Sequence, residues 1–165
     1  MQQQMHWQET TRISTDALQA LEAAWRGWGE GGQLPTRARF DPMDFPELLP
    51  WILLGEITPA TAGPRSYDVL FRYLGSEFER YFKASNLTRA HLSSVGPPYT
   101  ERWFAVYDAV IRRQQPHYFT GAPFGTGYEY LPLEMLVLPF ARTDTAETRP
   151  KVGFVLCAFA RLELV

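Results

Sequence analysis

Three histidines, one cysteine and a pair of glutamates are the residues of this 165-residue chain that first suggest chemistry. His6 falls in a polar N-terminal stretch, His91 beside a loop and His117 at the start of a predicted strand. No His-x-x-x-His or Cys-x-x-Cys spacing brings metal ligands onto one face. Cys157 sits mid-strand in "GFVLCAFA". A thiol in apolar surroundings stays protonated and packs as a small hydrophobe, so a nucleophile is not expected there. Gly-x-Ser-x-Gly and a Gly-rich phosphate loop are absent, and "GTG" at 125–127 reads as a hairpin turn. Glu129 and Glu134 stand five apart on one predicted strand, hence on opposite faces, and do not cooperate. Glu134, between Leu133 and Met135, is expected to face solvent or a partner. The sequence predicts no catalytic residue and no metal site, and it names no cofactor.

The aromatic residues, 15% of the chain, are the richer set. Trp103 and Tyr107 lie one turn apart on a predicted helix, with Tyr73, His117 and Phe119 on strands that face it. One reading makes these five a ligand-binding site, with phenol and imidazole groups as the polar anchors of an apolar cavity. The other makes them a filled aromatic core whose polar tips bond to the backbone.

The elements that must position them follow from periodicity. Residues 1–13 read as a disordered polar tail, and 14–32 as an N-terminal helix, residues 15–28, ended by "GWGEGG". Leu18, Leu21, Trp25 and Trp28 recur at spacings of three and four, an apolar stripe expected to serve as a dimer interface. Residues 33–165 form the core domain. Asp41 caps a short turn with Pro42 in its first position, and Leu48, Leu49 and Trp51 pin that bridge to the core. Strands are predicted at 51–57 and 66–78, short helices at 76–83 and 86–92. Trp103, Val106, Tyr107, Val110 and Ile111 mark the most regular helix, and strands follow at 117–124, 128–140 and 151–164. An antiparallel sheet with helices gathered on one face is the simplest α+β arrangement for this order.

Composition sets the limits. Hydrophobic residues are 45%, charged residues 21% and the formal net charge is −2, which supplies no basic field for nucleic acid or an anionic membrane. The single cysteine rules out an internal disulfide and fits a reducing cytoplasm. The N-terminus has no signal-peptide pattern, and no apolar run reaches the roughly 18 residues of a membrane helix. A cytoplasmic single-domain protein is expected.

Three stretches carry a resemblance to a known family. "LPTRARFDPMDFPELLPWILLGEI", "VLFRYLGSEFERYF" and "LEMLVLPF" resemble the opening, the second strand and a late strand of the PAS domain. The group resembled is that of short stand-alone bacterial PAS proteins, and the likeness runs over residues 20 to 164. That group has Gly-x-x-Leu-Thr-Gly after the second strand; here "KASNLTRAHL" puts Lys83 and Arg89 at the glycine positions. The resemblance implies a five-stranded PAS-like sheet and a sensory or interaction module. Such a module holds a small molecule, or nothing, between sheet and helical insert, and signals through dimer and other protein contacts. With Val165 directly after the last strand, the signal is expected to pass in trans to a regulatory protein partner. Two rivals stand beside this non-enzymatic reading. One is a cone-fold isomerase or dehydratase, which needs an acid/base dyad with Asp108 as its carboxylate. The other is an interaction protein with no cavity.

Overall fold

The computed structural model describes residues 7–60, 63–142 and 151–162. The chain is α+β, built on one antiparallel sheet of six strands. These are β1 (Gln8–Thr10), β2 (Ile52–Pro59), β3 (Tyr67–Leu74), β4 (His117–Gly121), β5 (Leu133–Ala141) and β6 (Val152–Arg161). Their order across the sheet is β1-β4-β5-β6-β2-β3. The helices are α1 (Asp16–Trp28), α2 (Ser76–Phe82) and α3 (Tyr99–Arg113).

The sixth strand comes from the stretch read as a disordered tail. Gln8, Glu9 and Thr10 pair with Thr120, Phe119 and Tyr118 of β4. Trp7, 8% exposed, anchors the strand: its ring lies 5.6 Å from Trp103 and 5.9 Å from Phe159. A Cβ at Gly121 would run into that ring, so the glycine makes the seat for it. Residues 1–6, His6 among them, lie outside the described residues.

Helices cover both faces of the sheet, where one covered face was expected. Successive residues of a strand point to opposite sides. Met135 shares a face with its neighbours Phe119 and Phe159, and Phe159 meets Trp103 of α3; this is the inner face. Leu136, Leu138 and Phe140 point the other way, where Phe140 meets Trp28 of α1 at 6.4 Å. Every residue of β5 is buried, and the apolar run from Met135 to Ala141 carries that meaning where alternation would signal one wet face. Pro139 interrupts nothing, since it lies past the last β4 pair, His117 with Val137. Its carbonyl accepts the indole N–H of Trp25 at 2.8 Å.

Glu134 faces neither solvent nor a partner. It is 3% exposed, under the start of α1, and accepts the Thr15 N–H at 2.7 Å and both the N–H and hydroxyl of Ser14 at 3.1 Å. Thr15 makes no side-chain cap of its own, so this carboxylate from β5 caps the helix, an anion at the positive end of the helix dipole. Burial pushes the Glu134 carboxyl up, but the hydrogen bonds from Thr15 and Ser14 prevail and hold it below the usual carboxylate range. Glu134→Gln therefore costs about 1–3 kcal/mol at neutral pH. A carboxylate with a lowered folded-state pKa stabilises above its unfolded pKa and loses that contribution as pH falls through the folded value. The gap between wild type and variant in urea unfolding is thus full at neutral pH and shrinks below about pH 4.

The bridge before β2 is a chain of tight turns, Arg37–Arg39, Pro42–Asp44 and Leu49–Trp51. Asp41 caps the second, accepting the Met43 N–H at 2.9 Å, with Pro42 following. Leu48 is buried, Leu49 and Trp51 pack on the core, and Trp51 stacks on Tyr81 of α2 at 5.3 Å. Arg37 donates to the Phe40 carbonyl. Gly75 lets this bridge pass against the start of α2, since any Cβ there would collide with the Pro50 carbonyl.

A candidate ligand cavity

Between α2, α3 and the inner face lies a cavity of about 400 Å³. Leu53, Phe71 and Leu74 form its sheet wall, Phe78 and Phe82 its α2 wall, and Trp103 with Tyr99 its α3 wall. Leu87, Leu92 and Val95 close it on the side of the segment after α2. Phe124, Gly125 and Thr126 close it from the β4–β5 connection. The volume falls within the roughly 300–1,000 Å³ typical of small-molecule sites.

Two of these walls differ from the elements predicted. β4 ends at Gly121 and β5 begins at Leu133, so "GTG" belongs to a longer connection, not a tight hairpin. Pro123 and Pro132 lack the N–H that longer strands would need, and Gly125 and Gly127 take φ of +73° and +90° within it. The segment 86–92 is not a helix. Arg89 N–H donates to the Phe71 carbonyl at 2.8 Å, and Phe71 N–H to that of Ala90 at 3.0 Å, so it covers the open edge of β3. Asp68 fixes its far end through the Ser93 N–H and hydroxyl. Lys83 and Arg89, the two positions where the resemblance has glycine, are at φ +51° and +69°. Both adopt the left-handed conformation that glycine takes without strain, and Lys83 does so as the C-cap of α2.

Of the five aromatic and imidazole residues singled out in the sequence, Trp103 lines the cavity and four lie elsewhere. A β-bulge is the reason for Tyr73. The β2–β3 register slips between Leu54 and Gly55, so Phe71 pairs with Gly55 but Tyr73 with Leu54. Leu74 thereby takes the inner position and Tyr73 turns outward, 37% exposed, its hydroxyl 3.4 Å from the Leu49 carbonyl. Tyr107 is wholly buried between α3 and the sheet, beside Gly55. Its hydroxyl makes no well-formed hydrogen bond, its polar neighbour being the Cys157 thiol. Burial pushes that thiol up, beyond the range where it ionises, in keeping with an inert Cys157. His117 is buried near the β1 edge, Nδ1 2.8 Å from the Gln115 carbonyl and Nε2 3.7 Å from Glu9, with Phe119 stacked on it.

The proposed dimer stripe is also placed. Leu18, Leu21 and Trp25 are buried against the outer face of the chain's own sheet, and Trp28 is half-buried between Phe45 and Phe140. The apolar patch that motivated a seam is therefore covered within the single chain.

The polar group missed in the sequence is Arg102. It lies 3% exposed in the cavity wall, one position before Trp103. One N–H of Nη2 donates to the Ala122 carbonyl at 2.7 Å, and the guanidinium rests 4.6 Å from the centre of the Trp7 ring. Nε is buried with no partner, and no described carboxylate pairs with the group. Burial pushes its pKa down to about 10, opposed only in part by Tyr99. A signal existed: Arg102 falls three after Tyr99 and four before Val106, inside the buried stripe of α3. Lys83 and Asn86, both exposed, stand at the mouth.

Asp108, the carboxylate of the enzyme rival, is exposed and held by Arg65 at 3.2 Å and by the Tyr67 hydroxyl. Its partners Arg65 and Tyr67 line a second cleft of about 370 Å³, where Arg65 also pairs with Glu101. Among the described residues no group of three or more His, Cys, Asp or Glu could hold a metal ion, and no helix is long and apolar enough to cross a membrane. Comparison with protein-family models, with curated proteins and with solved structures gives no match.

Proposed function

We propose that this chain is a sensory or regulatory module of the PAS type. It takes a small molecule between the inner sheet face and α2–α3, performs no catalysis, and passes its state to a protein partner. The observation that carries the reading is the cavity itself: about 400 Å³, walled by aromatic rings, between a sheet and a helical insert. The order of elements supports it. With β1 set aside, two strands, an insert holding α2 and α3, and three strands follow in turn, the arrangement that the resemblance implies. The left-handed backbone at Lys83 and Arg89 supports it as well, since those are the resemblance's glycine positions. Homodimerisation stays part of the proposal, on a surface other than the α1 stripe.

Native mass spectrometry of the freshly purified full chain tests the reading. A mass excess that disappears on denaturation is expected, and the same spectrum counts the chains per particle. Bare polypeptide mass in every gentle preparation, with no stabilisation by any member of a fragment set, would count against it.

A further inference from the structure

Arg102 bears a charge that nothing in the described chain neutralises. Taking a guanidinium out of water is costly unless an anion and hydrogen bonds compensate it. Of its five N–H donors, the Ala122 carbonyl takes one and the Trp7 ring supplies a weak attraction to one face. Nε is left without a partner in the wall of a cavity. Ordinary surface arginines swing into solvent; this one is buried and held by the Trp7 ring and the backbone of the β4–β5 connection.

We propose that the ligand of this cavity is a small organic acid, its single carboxylate paired with Arg102 and its apolar body against Trp103, Phe78 and Phe82. The inference rests on the preceding reading of the cavity as a ligand site and names the chemical class. A planar carboxylate matches the donor geometry of a guanidinium, accepting from two of its N–H groups at once. A phosphate dianion fits less well, because it brings more charge into an apolar space whose buried wall holds one cation. Lys83 lies exposed at the mouth, so it supplies attraction during entry and leaves the buried pairing to Arg102. The rings dictate the rest: their faces favour an aryl or short alkyl body over a sugar or a nucleotide.

Phenylacetate and its neutral isostere phenylacetamide serve as probes, titrated into the ligand-stripped full chain by calorimetry and tryptophan fluorescence. The acid is expected to bind about tenfold or more tightly than the amide. Arg102→Met, with its fold checked by circular dichroism, is expected to lose that preference. Equal binding of amide and acid by the wild-type chain, which needs no variant, overturns the inference and leaves the cavity reading intact. So does undiminished acid binding by a folded Arg102→Met protein. If neither probe binds, the species retained on purification decides: an acid supports the inference and a neutral compound overturns it. With no retained species, the fragments that stabilise the chain decide in the same way, and no stabilisation by any fragment overturns both the inference and the reading beneath it.

Discussion

Trp25→Ala lowers the unfolding free energy by about 3–5 kcal/mol, the cost of emptying a buried tryptophan site. Trp25 is 8% exposed on α1, and its indole N–H is the donor to the Pro139 carbonyl, a strand acceptor beyond the reach of β4. Truncation removes the ring from the outer sheet face and orphans that carbonyl, and both effects act in the same direction. α1 is 13 residues long, too short to persist without the sheet beneath it. The loss should therefore spread along the helix and weaken the capping of Ser14 and Thr15 by Glu134 as well. Trp28→Ala costs clearly less, because that ring is only half-buried. Urea unfolding of both variants followed by circular dichroism measures the difference. A loss under about 1 kcal/mol for Trp25→Ala would mean that α1 is not packed on its own sheet.

Arg102→Met acts with the opposite sign, stabilising the ligand-free protein by about 1–3 kcal/mol. Lowering a guanidinium to about 10 corresponds to a penalty of about 3 kcal/mol for keeping the charge in place. Against this stand one hydrogen bond to Ala122 and the contact with Trp7, together about 1–2 kcal/mol. Methionine keeps most of the volume and leaves no donor unpaired, so the burial penalty wins. At roughly 2–4 °C per kcal/mol for a chain of this size, the melting temperature rises by a few degrees. A ligand-stripped Arg102→Met protein that melts well below wild type would show that the charge is satisfied by the fold alone. Stability gained where a polar group is deleted is the mark of a residue kept for binding and not for folding.

What the residues revealed in advance, and what they did not, divides along physical lines. The stripe from Trp103 to Ile111 specified α3 because helical periodicity is a local property. Asp41 and Pro42 specified their turn because capping needs only near neighbours. Sidedness was not local. The run Leu133 to Phe140 carries no alternation, and only the placement of α1 over one face and α3 over the other explains why. Strict alternation puts Tyr73 on the wrong face, since it cannot foresee the bulge at Leu54 and Gly55. β1 is three residues long in a polar stretch, and its anchor, Trp7, acts through side chains over seventy residues away. The site follows the same division: Trp103 is legible as part of an apolar helix face, whereas Arg102 gains its meaning from an unpaired Nε and the lack of a carboxylate partner among the described residues, which only three dimensions reveal.

The central claim is that the space between α2, α3 and the inner face takes a small molecule, and methyl-resolved NMR of the full chain tests it most directly. With saturating phenylacetate, the methyl resonances of Leu53, Leu74, Leu87 and Leu92, which line the cavity, are expected to shift. Those of Leu136, Leu138 and Leu156, on the outer face toward α1, are expected to stay in place. Shifts confined to the outer face, or none at any cavity methyl with phenylacetate or with the species retained on purification, would contradict the account.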